Sequence, residues 1–185
     1  ARASNTTTGN ALRHPQLRWG MVAIFCYVGA EVAIGSLIIG FLGLPHVMGL
    51  SEDLAKHYLS LYWGGAMTGR FLGAIALNKG LSPGRKAGSM LAIGAAMFTL
   101  LALLNATGPV SINDIWPMAL LILGNIVVVL LARGNAGWAM GLFASVAIVL
   151  LLGVILGHGS LSLWAIVAIG LFNSILWSNI FTLSI

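Results

Sequence analysis

Long and almost uninterrupted apolar runs constrain this chain more than any other feature of its sequence. Residues 21–44 and 91–104 would be apolar around the whole circumference of a helix, and charged residues make up only 7% of the chain. A soluble domain carries about 25% charged residues. A helix of about 20 apolar residues, by contrast, crosses the roughly 30 Å hydrocarbon core of a bilayer. We therefore predict an integral membrane protein.

Polar residues, glycine and proline divide the apolar runs into six candidate membrane helices. These helices lie at residues 20–44, 57–78, 87–106, 116–132, 137–157 and 161–185. The runs are continuous rather than alternating, and a segment in lipid must satisfy its backbone hydrogen bonds internally, so helices are favoured over strands. The predicted fold is an all-α, polytopic transmembrane bundle of six spans at 20–185, preceded by a linker at 1–19.

The basic residues indicate the direction of these spans. If six spans alternate in direction, Lys56 falls on one side of the membrane, and most other basic residues fall on the opposite side. These residues are Arg2, Arg13, Arg18, Lys79, Arg85, Lys86 and Arg133. Cytoplasmic segments carry the excess of Lys and Arg, so the linker is predicted to be cytoplasmic. A nucleic-acid partner is not expected despite the net charge of +5, because that function needs basic residues clustered on one solvated face.

Both termini predict a chain that is part of a longer protein. Residues 1–10 are polar and lack the basic-then-apolar order of a signal peptide, and Ile185 ends the sequence inside an apolar run. We expect sequence to be missing at both ends.

Two ionisable residues lie inside the predicted spans. Glu31 is near the middle of the first span, and Arg70 is a little past the middle of the second. Charged groups are costly in hydrocarbon, so they normally face a bundle interior or an aqueous cavity and pair with another group. One interpretation places both residues on a transport path, as substrate ligands or members of a coupling network. The alternatives are a structural Glu31–Arg70 pair, or an Arg70 side chain that reaches the inner surface.

The last span carries polar and aromatic residues at helical spacing. Asn173 and Trp177 are four residues apart and therefore share one helix face. Amides form hydrogen bonds with sugar hydroxyls, and aromatic rings pack against the apolar face of a sugar, so this pair would suit a sugar site. The alternative is that Asn173, Ser174 and Asn179 only bond neighbouring helices. In the second span, Gly65, Gly69 and Gly73 predict close helix packing.

No catalytic or metal-binding pattern is present in the sequence. His46, His57 and His158 lie near the outer ends of spans, without the spacing of a metal site. No nucleophile and base are signalled as a pair, which argues against a membrane hydrolase. We expect a protein that is not an enzyme and needs no cofactor.

Four stretches of the chain resemble the fucose–galactose–glucose/proton symporters of the major facilitator superfamily, and most closely the bacterial glucose/galactose transporters within that family. The resemblance is to the carboxyl-terminal half. FCYVGAEVAIGS at 25–36 is similar to the seventh helix of the family, and YLSLYWGGAMTGRFLG at 58–73 to the eighth. LSPGRKAG at 81–88 resembles the link into the ninth helix, and GLFNSILWSNIFTLSI at 170–185 is similar to the tenth.

The resemblance implies uptake of a hexose, coupled to a proton, across the bacterial inner membrane by alternating access. It implies that Glu31, Asn173 and Trp177 face a central cavity between two halves of the transporter. Arg70 and Asn179 would belong to a coupling or structural network. Whether Glu31 binds sugar, a proton or both stays open, and so does coupling to sodium instead of a proton.

The chain departs from the family pattern in two ways. The coupling carboxylates of the family lie in its amino-terminal half, so the implied partner of this chain is a missing amino-terminal half. In addition, residues 108–160 add two apolar segments between the ninth and tenth family helices, which predicts an inserted helical hairpin. The main competing hypothesis is a membrane scaffold or assembly subunit that transports nothing.

Overall fold

The structure is a computed structural model that describes residues 13–78, 80–106, 108, 110–132 and 134–184. The described residues form six α-helices and no strand. The helices are α1 (Pro15–Leu42), α2 (Glu52–Leu77), α3 (Pro83–Asn105), α4 (Ile112–Leu131), α5 (Ala136–Leu156) and α6 (Ser160–Ser184). The all-α prediction and the order of six helices are confirmed. Arg2, Lys79 and Arg133, which contribute to the predicted orientation, lie outside the described residues, as does most of the predicted linker.

The first two helices begin about five residues before the predicted spans, because a proline favours the start of α1 and a serine caps the start of α2. Pro15 occupies the first turn of α1, where its fixed φ suits the helix and its missing N–H leaves no bond unmade. Before α2, the Ser51 side chain accepts a hydrogen bond from the backbone N–H of Leu54. Glu52 and Asp53 then place negative charge in the first turn, where the helix dipole favours it.

Five of the six helices are long and apolar enough to cross a membrane, and α2 is the exception within the described residues. Its length is sufficient, since 26 residues extend over about 39 Å at 1.5 Å per residue. Arg70 and a glycine-rich middle lower its apolarity. Five of the six predicted spans thus meet this criterion by both length and apolarity, and α2 meets it by length. This helix is covered by α1, α3, α4 and α6.

α6 lies at the centre of the bundle. It packs most extensively against α5 and α2, and it also contacts α1 and α4. Nearly all of residues 162–175 are buried by these neighbours. α4 packs mainly on α2 and α3, and it hardly touches α5 although a short turn joins the two helices. The stretch predicted as an inserted hairpin thus contains two helices that pack on different neighbours.

The glycine stripe of α2 lies against α6, which confirms the predicted close packing and identifies the helix that approaches it. A Cβ atom added at Gly69 would collide with the backbone carbonyl of Leu171 and the hydroxyl of Ser174. Gly65 faces Leu171 more loosely, and Gly73 faces Ile175. The missing side chains therefore allow the backbones of α2 and α6 to approach closely.

Replacing Gly69 with Ala should destabilise the bundle, because the new methyl group must push α2 away from α6. Overpacking of this kind costs about 1–3 kcal/mol. The measurement is the midpoint of thermal aggregation of the detergent-solubilised intact protein. Gly40→Ala in α1 is the matched control, because nothing lies within 4 Å of a Cβ atom added there. Equal midpoints for both variants would contradict the close α2–α6 contact.

Candidate functional site

Glu31 of α1 and Arg70 of α2 form an ion pair inside the bundle. Nη2 of Arg70 donates a hydrogen bond to Oε1 of Glu31 at 2.8 Å. The two side chains differ in exposure, since Glu31 is 6% exposed and Arg70 is 47% exposed. The carboxylate is therefore enclosed, while part of the guanidinium remains open. The bond to Glu31 also shows that Arg70 is not simply directed toward the inner surface.

The open side of Arg70 belongs to a continuous exposed stripe on α2. Its residues recur about once per helical turn. They are Ser60, Trp63, Met67, Arg70, Phe71 and Ala74. A guanidinium at this depth is costly against hydrocarbon. We therefore expect this face of α2 to meet an aqueous cavity or another part of the protein, and not acyl chains.

Two tyrosines that the sequence analysis did not single out complete the surroundings of the ion pair. The Tyr62 hydroxyl donates a hydrogen bond to the backbone carbonyl of Glu31 at 3.0 Å, and this side chain is fully buried. The Tyr27 hydroxyl is also buried close to Glu31 and Arg70, but it has no hydrogen-bond partner of proper geometry among the described residues. Helical spacing could have identified Tyr27, which lies one turn before Glu31.

Trp177 of α6 joins this group through Tyr27. The two ring centroids are 6.1 Å apart and the ring planes are tilted by 53°. Aromatic pairs at such distances attract one another. Trp177 is partly exposed, so one part of the indole packs on α1 while another part is free to contact a ligand. The structure thus brings three of the five predicted site residues, Glu31, Arg70 and Trp177, into one group.

Asn173 lies one turn before Trp177 on the same face of α6. The side chain is buried. Within the described part of the chain, no hydrogen bond links its amide to Glu31 or Arg70. Its neighbour Ser174 is satisfied within α6, since the hydroxyl donates to the carbonyl of Leu171 at 2.9 Å.

Asn179 lies apart from the ion pair. It lines a small cavity of about 20 Å³ with residues of α2, α4 and α5, among them Gly73, Val129 and Phe143. Its Nδ2 atom is buried there without a hydrogen-bond partner among the described residues. The six-residue spacing from Asn173 turns Asn179 toward another side of α6, so the structure does not join it to Arg70.

Asn125 of α4 is a further buried amide that the sequence analysis did not single out. Its side chain is fully buried, and Nδ2 donates a long hydrogen bond of 3.4 Å to the carbonyl of Leu171 in α6. This carbonyl is the one that Gly69 of α2 approaches closely. Asn125 therefore links α4 to the crossing of α2 and α6, as polar residues in membrane helices often do.

The chain is similar to transporters from two bacteria. It is 32% identical over 182 residues to the glucose/galactose transporter of Brucella abortus, a match that covers 98% of this chain and 31% of that protein. It is 45% identical over 74 residues to the putative glucose/galactose transporter of Helicobacter pylori, which covers 40% of this chain and 18% of that protein. The chain thus spans about a third of the length of the Brucella relative. No family model matches the chain, and no solved structure matches it.

Proposed function

We propose that this chain is part of a secondary transporter that carries a hexose of the glucose or galactose type. The observation that carries the proposal is the Glu31–Arg70 pair, a buried carboxylate and a half-open guanidinium inside a membrane bundle. Such groups are rare in membrane helices and commonly mark substrate or ion paths. Similarity to transporters named for glucose and galactose supports the choice of substrate.

We further propose that the chain belongs to the carboxyl-terminal half of a major facilitator fold in a bacterial inner membrane, with its first helix entering from the cytoplasm. In such transporters the substrate site lies near the midplane between two halves, which rock about it. Residues 108–160 would be an insertion into that half. The exposed stripe of α2 would then face the central cavity and the amino-terminal half, and coupling to a proton would involve both halves.

The geometry supports a particular order of contacts with the sugar. Arg70 and Trp177 are open, whereas Glu31 is enclosed by Arg70 and the two tyrosines. A sugar would first lie against the Trp177 indole. Its hydroxyls would form hydrogen bonds at the open edge of the site. Its hydroxyls would then compete with Arg70 for the Glu31 carboxylate, and Asn173 and the free Tyr27 hydroxyl would supply further hydrogen bonds.

The ion pair also favours a second candidate function. A membrane scaffold or assembly subunit could use Glu31 and Arg70 only to fix α1 against α2. In that case the pair would be replaceable by apolar residues without loss of activity, because well-packed apolar groups often replace a buried ion pair at little cost.

Sugar uptake by the intact protein tests the proposed site through Asn173. We expect Asn173→Ala to raise the KM for galactose or glucose about three- to tenfold, because loss of one hydrogen bond costs roughly 0.5–1.5 kcal/mol. The measurement is uptake of radiolabelled sugar into membrane vesicles. Ser174→Ala is the matched control, since its hydroxyl bonds within α6. The assignment of Asn173 is wrong if its variant and the control have the same KM.

Absence of any glucose or galactose uptake by vesicles that contain the folded intact protein would contradict the transport proposal as a whole.

A further inference from the structure

A cleft of about 300 Å³ lies where three helices enter or leave the membrane, away from the Glu31–Arg70 pair. Its wall includes Ala76 in the last turn of α2 and Lys86 in the first turn of α3. Val129 and Leu130, in the last turn of α4, form the opposite wall. Since three helix ends meet at the cleft, it lies at the level of the lipid headgroups.

The cleft combines an apolar interior with one cationic group. Leu81 and Leu130 provide accessible apolar surface over the buried Met90 and Val129, and Lys86 provides the ammonium. The ammonium donates one hydrogen bond, to the carbonyl of Ala76 at 2.8 Å. An ammonium has three donors, so two have no partner among the described residues and can bind a ligand.

The chain itself offers no carboxylate to balance Lys86. It has four acidic residues. Glu52, Asp53 and Asp114 lie at the opposite ends of α2 and α4, and Glu31 pairs with Arg70. Arg85, the exposed neighbour of Lys86, adds a second positive charge at the same end. The described acidic residues therefore leave both positive charges open to an external anion.

We propose that this cleft binds an anionic phospholipid, with the phosphate of the headgroup at Lys86 and an acyl chain against Leu81 and Leu130. A lipid supplies the negative charge and the apolar surface together, at the depth where the cleft lies. Basic residues near a membrane surface each favour anionic lipid by about 1 kcal/mol. The site is independent of the transported solute, because it uses no residue of the proposed sugar site.

Native mass spectrometry of the intact protein in detergent tests this site with phosphatidylglycerol and with phosphatidylcholine of the same acyl chains. We expect tighter binding of phosphatidylglycerol. Lys86→Gln should weaken that binding about fivefold, which corresponds to one basic residue at the membrane surface, and Lys86→Arg should retain it. Lys56→Gln is the matched control, since Lys56 lies at the other end of α2 and pairs with Glu52.

A second variant separates the cleft from surface charge. Leu81→Trp fills the cleft but keeps the ammonium, so binding should fall severalfold although the charge is unchanged. Inorganic phosphate should not displace the bound lipid, because it lacks the acyl chain. Equal binding of the two lipids, wild-type affinity in Lys86→Gln or Leu81→Trp, or displacement by inorganic phosphate would each overturn the proposal. Thermal midpoints of the lipid-free variants establish that they are folded.

Discussion

Replacing Glu31 with Gln in the intact protein should lower sugar-driven proton uptake about ten- to hundredfold while the protein stays folded. The amide keeps the size of the carboxylate but removes its charge. The site then loses one or more charge-assisted hydrogen bonds, each worth about 1.5–3 kcal/mol, to Arg70 and to the sugar. The measurement is alkalinisation of the medium by vesicles when glucose or galactose is added, together with uptake of the labelled sugar.

Glu52→Gln provides the matched control for this experiment. It also replaces a carboxylate with an amide, but at an exposed position in the first turn of α2. There Glu52 pairs with Lys56. Surface ion pairs of this kind contribute about 0–1 kcal/mol, so uptake should stay near the wild-type rate. If Glu31→Gln shows unchanged sugar uptake and unchanged affinity, Glu31 does not belong to the sugar site. Loss of proton movement alone, with sugar uptake retained, would assign it to coupling.

The helices could be predicted from sequence because the signal for each one is local. Apolar runs between polar connections gave six helices in the observed order. Their starts were missed where a helix-starting proline or a capping serine extends the helix beyond the apolar run, as at Pro15 and Ser51. The neighbours of each helix could not be predicted in the same way. α5 is apolar on all sides, so its sequence carries no signal that it would pack on α6 and not on α4.

The candidate site was predictable to the extent that its residues are unusual in lipid. Glu31 and Arg70 are the two charges within the spans, so their pairing was one of few arrangements open to them. Which of the two is enclosed depends on packing between three helices, and composition does not contain that information. Tyr27 and Tyr62 were missed because an uncharged side chain is not unusual in lipid, and only their positions beside Glu31 give them importance.

The unequal exposure of the pair predicts an unequal response to removing each partner. Arg70→Met should destabilise the protein more than Glu31→Gln does, because it leaves a carboxylate enclosed without a counter-charge. Removing one partner of a buried pair costs about 3–5 kcal/mol. Removing Glu31 leaves a guanidinium that is already half open to its surroundings, so the cost should be smaller. Thermal midpoints of the two variants in detergent measure this difference.

The double variant Glu31→Gln with Arg70→Met then separates transport from a scaffold. Its thermal midpoint should exceed that of Arg70→Met alone, because no enclosed charge remains. Sugar uptake should stay as low as in Glu31→Gln, since a restored fold does not restore a ligand. If the double variant regains both stability and activity, the pair serves only to hold α1 against α2. In that case the sugar must bind elsewhere, and Trp177 would lose the neighbours on which its proposed role depends.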